Sequence, residues 1–133
     1  MKVILFLTAL VAYGEERVIC DLSAKSGVII EATQKGAMST GIEVILTNVT
    51  NGSDQVIADQ AWFKDMDKGK TLLRWTGEFE SVALYKVKIR YADNKSLIGE
   101  ASFETKADKC HVIPQKVQVD LDTKKIAVSA VKN

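Results

Sequence analysis

The feature that most constrains this chain is the alternation of apolar and charged residues in Tyr85-Lys86-Val87-Lys88-Ile89-Arg90-Tyr91. Apolar side chains recur at every second position, which is the period of a β-strand and not that of a helix. One face of such a strand packs against a core while the basic face lies in water, as in an antiparallel sheet. Lys116–Leu121 repeats the pattern, with Val117, Val119 and Leu121 predicted to point inward.

Short strand-like segments follow one another at intervals of roughly 10 residues, which favours a sandwich over a parallel sheet or a barrel. The further segments are Gly27–Thr33, Ile42–Val49, Val56–Ala58, Thr71–Phe79, Leu97–Thr105 and Ile126–Ala130. Among the turns between them, Asn51-Gly52 is the strongest, because both residues tolerate the positive φ of a type I′ hairpin. We expect an all-β fold, an antiparallel β-sandwich of seven to eight strands.

Two places in this pattern are less regular. Asp59–Met66 is compatible with a helical turn, in which Ala61, Trp62 and Phe63 take part. Pro114 is the single proline and precedes the last clear strand segment. Because proline has no N–H to donate to a sheet, it predicts an edge strand or a bulge there.

Residues 1–14 have the composition of a secretory signal peptide. Lys2 supplies the positive charge, Val3–Val11 is predominantly apolar, and Ala12-Tyr13-Gly14 offers small residues for cleavage. The apolar stretch is shorter than the about 20 residues that span a bilayer. We expect a signal peptide at 1–14, then a single β-sandwich domain at 15–133 that is periplasmic or secreted. The alternative is that the segment forms an N-terminal strand or a buried helix of the fold.

The charges of the chain are balanced, with 18 Lys and Arg against 17 Asp and Glu. Removal of residues 1–14 takes away only Lys2 and so leaves 17 of each sign. A neutral surface with interspersed signs offers no electrostatic footprint for nucleic acid or for an anionic membrane. We expect a protein or glycan partner outside the cytoplasm, with no nucleic acid, no membrane span and no cofactor.

Cys20 and Cys110 are the two cysteines of the chain. In an exported protein an even number of cysteines predicts a disulfide. A bond closing a loop of this size contributes roughly 4–5 kcal/mol to stability in the chain-entropy description. A buried pair of free thiols and a metal site with His111 are the alternatives, although two cysteines and one histidine make a poor zinc shell.

Few residues are suited to catalysis. His111 is the only histidine, and a disulfide at Cys110 would leave it without a thiol partner. The sequence contains neither a G-x-S-x-G nucleophile elbow nor a glycine-rich loop of the nucleotide-binding types. We expect His111 to be a hydrogen-bonded histidine beside the disulfide, and the protein not to be an enzyme.

A candidate binding surface lies in the segment Gln60–Gly69, where aromatic and charged residues stand together as at the centre and rim of an interface. Its candidate residues are Trp62, Phe63, Lys64, Asp65 and Asp67. The turn Asn48–Gln55 is a second candidate, because loops carried by a rigid sandwich are common binding sites.

Two alternatives bear on this segment. Asp65 and Asp67 are spaced as at the start of a calcium loop, but the twelfth position from Asp65 is Thr76 and not Glu, so we expect no metal site. The aromatic residues are also suited to the hydrophobic core. Trp75 is then the tryptophan expected to be more buried, since it alternates with Leu73 and Gly77.

Three segments in the C-terminal part carry a resemblance to a known family: Tyr85–Tyr91, Lys109-Cys110-His111-Val112 and Gln115–Leu121. Together they resemble small exported bacterial proteins with a carboxypeptidase regulatory-like domain. The resemblance implies a transthyretin-like (prealbumin-like) sandwich, so that the expected fold is Ig-like or transthyretin-like. It also implies that an early cysteine, here Cys20, accompanies the Cys-His-Val element. Such domains act as accessory, folding or binding modules.

The sequence therefore predicts a non-catalytic, exported β-sandwich that acts as a binding or accessory module for an unidentified ligand. The alternative is a structural or assembly subunit that self-associates through its edge strands, because an exposed sheet edge can pair with another chain.

Overall fold

The computed structural model describes residues 19–38 and 40–131, and the signal peptide predicted at 1–14 lies outside them. In this part of the chain there are eleven β-strands and one short 3-10 turn, Asp59–Ala61. The strands are β1 (Ser26–Lys35), β2 (Ile42–Asn48), β3 (Ser53–Ile57), β4 (Phe63–Asp67), β5 (Lys70–Phe79), β6 (Leu84–Tyr91), β7 (Leu97–Glu104), β8 (Lys106–Ala107), β9 (Val112–Ile113), β10 (Gln115–Asp120) and β11 (Lys125–Ala130). None of the described helical segments is long and apolar enough to cross a membrane.

The strands form two main sheets and a small ribbon. The five-stranded sheet has the order β11-β10-β1-β5-β4, the four-stranded sheet has the order β3-β2-β6-β7, and β8 pairs with β9. Neighbours are antiparallel except β1 and β10, which run parallel with Val28 opposite Gln115 and Thr33 opposite Asp120. The predicted all-β fold closed by a disulfide is confirmed, with more strands than predicted and one parallel pair.

The core lies between the two sheets, because each strand turns its apolar side chains to the same face. In β6, Tyr85, Val87 and Ile89 are buried while Lys86 and Lys88 are exposed. The other strands of the core contribute mainly aliphatic residues, among them Val28, Ile30, Ala32, Ile42, Val44, Leu46, Leu73, Val117 and Val119. A slip of one residue in any pairing would turn these side chains to water, so burial fixes the register.

The two sides of the sandwich, where the edge strands of the sheets lie, differ from each other. On one side β7 and β11 contact each other, and Ile126 lies so close to Gly99 that a Cβ atom at Gly99 would collide with it. On the other side β3 and β4 are consecutive, joined through the 3-10 turn Asp59–Ala61. We call this second side, residues 53–67, the open side.

The turns correct the prediction of a type I′ hairpin at Asn51-Gly52. Asn51 does not have a positive φ; the β2–β3 loop is closed by Gly52, which has φ 75° and donates its N–H to the Asn48 carbonyl at 2.8 Å. A two-residue hairpin with positive φ at both positions joins β4 to β5 instead, at Lys68 (51°) and Gly69 (76°). This is the type I′ pattern, whose twist matches that of the strands.

The structure also corrects the predictions for Asp59–Met66 and Pro114. Only Asp59–Ala61 is helical, because the residues from Phe63 onward pair with β5. Pro114 does not mark an edge strand, since β10 lies between β11 and β1. It immediately precedes β10, where no ladder N–H is required, and its carbonyl accepts a hydrogen bond from the Val131 N–H at 2.8 Å.

Candidate functional site

A disulfide joins the N-terminal segment to the loop before β9. Cys20 and Cys110 are bonded with their Cα atoms 5.4 Å apart, across a sequence separation of 90 residues. The predicted pairing is confirmed, and neither of the two alternatives for these cysteines applies. The bond fixes the chain just before β1 to the segment that leads into β9 and β10.

His111, next to this disulfide, is held between two carboxylates. Its Nδ1 lies 2.5 Å from Glu80 Oε2 and its Nε2 lies 3.0 Å from Asp21 Oδ1. The imidazole side chain is only 13% exposed. The prediction of a hydrogen-bonded histidine beside the disulfide is confirmed. We call Cys20, Asp21, Glu80, Cys110 and His111 the clasp.

The clasp shifts the titration of its three ionisable side chains. The hydrogen bond to Glu80 raises the pKa of His111 above its ordinary value of 6.5. Hydrogen bonds from the Val112 N–H and from the His111 ring lower the pKa of Glu80, and a hydrogen bond from the Ser23 hydroxyl lowers the pKa of Asp21. Each shift favours the charged form, so the three groups stabilise one another as an ionic cluster.

The geometry of the clasp suits it to holding segments together. A catalytic base needs a free nitrogen within hydrogen-bond reach of a substrate proton, whereas both ring nitrogens of His111 already contact carboxylates. Glu80 also connects further backbone segments, because its carboxylate accepts hydrogen bonds from the backbone N–H groups of Lys25 at 3.1 Å and Val112 at 2.8 Å. The clasp therefore ties together the N-terminal segment, the β5–β6 loop and β9.

The predicted binding residues occupy different depths on the open side. Phe63 is 66% exposed, and Lys64, Asp65 and Asp67 follow it along β4, every residue of which is exposed. Trp62 is only 6% exposed and belongs to the core. Its assignment to the binding surface is therefore wrong, although it anchors the start of β4 from beneath.

The relative burial of the two tryptophans is the reverse of the prediction. Trp75 packs only partly buried against the core, whereas Trp62 is buried. Trp62 lies in the crossover between the two sheets, where its ring fills the space between them. Gly77 leaves room for the ring of Trp75, because a Cβ atom at Gly77 would collide with that ring.

A cleft of about 420 Å³ lies between β4 and the connection from β1 to β2. Its walls combine thioether, hydroxyl and charged side chains. The lining residues are Ala37, Met38, Thr40, Gly41, Asp59, Lys64, Asp65, Met66 and Thr71. The volume falls within the range of small-ligand and side-chain pockets.

Asp59 carries the charge at the base of this cleft. Its Oδ2 lies 3.4 Å from the Lys64 ammonium nitrogen. Its Oδ1 is buried and has no hydrogen-bond partner among the residues that the structure describes. The carboxylate lies directly against the Cα of Gly41, where any side chain would collide with it.

Met66 and Thr71 also line the cleft and contact each other. Thr71 Oγ1 lies 2.6 Å from the Gly36 carbonyl oxygen and 3.0 Å from Met66 Sδ. Met66 is 55% exposed even so. Sequence reasoning missed Met38 and Thr71 as members of this site, because tertiary packing brings them to the segment Asp59–Met66.

The second predicted surface, Asn48–Gln55, is an exposed turn whose polar groups largely bond to one another. The Asn51 side chain accepts from the Ser53 N–H at 3.0 Å and from its hydroxyl at 2.6 Å. The Asn51 N–H in turn donates to the Asn48 side chain at 3.1 Å. These internal bonds leave this turn less suited to recognition than the open side.

Within residues 19–38 and 40–131 no three His, Cys, Asp or Glu side chains converge as metal ligands would. The sequence matches no protein-family model, and no curated protein is significantly similar to it.

Proposed function

We propose that this protein is a non-catalytic binding or accessory module that works outside the cytoplasm and recognises its partner through the open side of the sandwich. The observation that carries the proposal is the pairing of the cleft with β4, an edge strand whose five residues are all exposed. Exposed apolar side chains gathered beside a pocket are typical of interaction sites. Here Met66 lines the cleft, and Phe63 is exposed on the same strand.

A location outside the cytoplasm is supported by the disulfide of the clasp. Disulfides persist in oxidising compartments and are rare in the cytosol, and the Cys20–Cys110 bond encloses most of the chain. The composition of residues 1–14 and the resemblance of the Cys-His-Val element to exported accessory domains support the same location. The intact mass of the protein from its natural compartment tests this part: a chain beginning at Glu15, with thiols that alkylate only after reduction, is expected. A chain that retains Met1 and carries free thiols would contradict it.

The binding surface can be tested by site-specific photo-crosslinking in the cells that produce the protein. A photoreactive phenylalanine analogue is placed at Phe63, or at Phe79 as the matched control. Phe79 is a phenylalanine of similar exposure, 59% against 66%, at the other end of β5. We expect covalent adducts from position 63 and none from position 79. Adducts from neither position, or from position 79 alone, would overturn the proposed surface.

Self-association is the second candidate function, favoured by the same unpaired edge of β4. It would make the protein an assembly subunit. Sedimentation velocity over a wide range of concentration separates the two, because self-association requires a mass that rises with concentration.

A further inference from the structure

We infer that the partner binds as an extended polypeptide strand that pairs with the outer edge of β4 and directs a lysine or arginine side chain into the cleft beside Asp59. The inference rests on the proposed function and adds to it the class of partner. Strand addition to an exposed edge derives affinity from main-chain hydrogen bonds and specificity from pockets for alternate side chains.

The first argument comes from the backbone of β4. The Met66 N–H donates to the Asp65 carboxylate at 2.8 Å, so this N–H does not bond to β5. Since the direction of backbone groups alternates along an antiparallel strand, Lys64 also turns its N–H and C=O outward. The Asp65 carboxylate thus occupies the place that the carbonyl of an added strand would take.

The second argument concerns the faces of β4. Lys64 and Met66 pair across from Leu73 and Thr71, which are buried, and so lie on the inner face. A strand added beside β4 would place every second side chain on that face, over the cleft. Met38 and Met66 line the cleft, and their flexible thioether side chains adapt to different apolar stems.

The third argument is the charge of the cleft. Two carboxylates, Asp59 and Asp65, line it together with one ammonium group, Lys64. Lys64 engages only one oxygen of Asp59, and the other is buried without a partner among the described residues. This second oxygen is packed against Gly41, so a partner reaches Asp59 through Oδ2. The cleft carries one more negative than positive charge, and a cationic side chain of the partner balances it with a charge-assisted hydrogen bond. An apolar stem that ends in a positive charge fits these walls.

A second copy of this chain fits the edge poorly. A two-fold axis between two antiparallel β4 strands sets each residue opposite its mirror position about a central residue. If the axis passes beside Asp65 or Lys64, that residue faces the same residue of the second copy. If the axis passes beside Met66, Asp65 of one copy faces Asp67 of the other. Like charges directly opposite each other destabilise a strand pair, so a foreign strand is favoured.

Selection of random 12-residue peptides displayed on phage against the full-length, oxidised protein tests the inference. We expect enriched peptides that carry a lysine or arginine between apolar residues. A synthetic copy of an enriched peptide should slow amide hydrogen exchange at Lys64 and Met66. It should leave unchanged the amides of β11, the other edge of the same sheet.

The contribution of the contact between Asp59 and the cationic residue of the peptide is measured with substitutions in the protein and in the peptide. Asp59→Asn should weaken binding of the selected peptide by about tenfold or more, while Asp54→Asn, an exposed aspartate on β3, should not. A peptide with norleucine in place of its cationic residue should bind the parent protein and Asp59→Asn equally.

Other outcomes overturn the inference in distinguishable ways. If no peptide is enriched, or if peptides bind without protecting Lys64 and Met66, strand addition is wrong, while adducts from position 63 would still support the proposed binding surface. If the protein itself dimerises with protection of these two amides, a second copy is the occupant. If adducts from position 63 are absent as well, the proposed function fails together with the inference.

Discussion

At the scale of single residues, Glu80 joins three segments that are distant in sequence. Its φ of 52° lies in the left-handed region that residues other than glycine rarely adopt. A hydrogen bond of 2.9 Å from the Glu80 N–H to the Lys25 carbonyl holds this conformation. The Glu80 carboxylate adds hydrogen bonds with the backbone N–H groups of Lys25 and Val112 and with the His111 ring. Such strain persists where the surroundings over-determine the conformation. Here those surroundings are the clasp.

The pH dependence of stability should report on His111. Its pKa is raised on folding, so its contribution is fully present below the unfolded value of about 6.5 and is lost as pH rises through the higher folded value. We expect the urea midpoint of unfolding to fall between pH 6 and pH 9. His111→Gln should remove most of that slope, and the assignment is direct because the chain has one histidine. An equal slope in both proteins would contradict it.

The two carboxylates of the clasp should affect the stability of the protein at acidic pH. The pKa values of Glu80 and Asp21 are lowered on folding, so their contributions are present above the unfolded values and are lost as pH falls through the folded ones. Stability should therefore decline below about pH 4. Glu80→Gln should reduce this acid-side decline when the same urea titration is run from pH 5 to pH 2. Asp93→Asn, in the β6–β7 turn away from the clasp, serves as the control.

At the scale of elements, β4 exists because of the hairpin that follows it. Phe63–Asp67 has no buried face and carries three charged residues, so neither burial nor alternation makes it a strand. Lys68 and Gly69 turn the chain back with positive φ at both positions and set Asp67 opposite Lys70. The edge that we propose as the binding surface thus depends on this two-residue turn.

Changes in this turn should alter stability in opposite directions. A Cβ atom at Gly69 would meet nothing within 4 Å, so Gly69→Ala should destabilise through backbone conformation alone, by about 1–2 kcal/mol. Lys68→Asn should stabilise by roughly 0.5 kcal/mol, because asparagine tolerates the left-handed region. Urea denaturation measures both. No effect of Gly69→Ala would show that the turn is not held in this geometry.

The contact between β7 and β11 should be sensitive to a single added methyl group. Gly99→Ala places a Cβ atom against the Cδ1 of Ile126, and overpacking of this kind costs about 1–3 kcal/mol. Ile126→Val removes the colliding atom and alone costs about 0.5–1.5 kcal/mol. The double variant should lose less than the sum of the two. Strict additivity in urea denaturation would mean that the two residues do not touch.

The strands that the sequence predicted most clearly are those with one solvated and one buried face. β6 and β10 alternate visibly because the inner side chains are buried and the outer ones are solvated. β4 was not predicted, since both of its faces are exposed. Alternation also carries no information about the partner of a strand, which is why the parallel pairing of β1 with β10 could not be foreseen.

The site was only partly predictable for a related reason. Phe63, Lys64, Asp65 and Asp67 lie within five consecutive residues, so their composition alone marked them as a surface. Asp59, Met38 and Thr71 join them only through tertiary packing. The disulfide and the hydrogen-bonded state of His111 were predicted because two cysteines and one histidine allow few arrangements.

At the scale of the whole molecule, the disulfide encloses most of the sandwich in one covalent loop. Replacing both cysteines with serine should lower the free energy of unfolding by roughly 4–5 kcal/mol, because the unfolded chain regains the entropy of a long open loop. Asp21→Asn in the oxidised protein is the control, because it weakens the ion pair between Asp21 and His111 while the covalent bond stays closed. A decrease below about 1 kcal/mol in the serine variant would indicate that the unfolded chain remains compact without the bond.

The central position of β1 has a consequence for the order of folding events as the chain is synthesised. β1 is among the earliest strands, yet one of its two neighbours, β10, is among the last. Pairing between strands so distant in sequence is slow to form. Until it forms, the apolar residues Val28–Ile30 have no neighbouring strand on the side of β1 where β10 will lie. The centre of the larger sheet can be completed only after nearly the entire chain has been synthesised. Closing the bond between residues 20 and 110 holds the segment before β1 close to the segment that leads into β10, so the early strand and its late partner can pair locally.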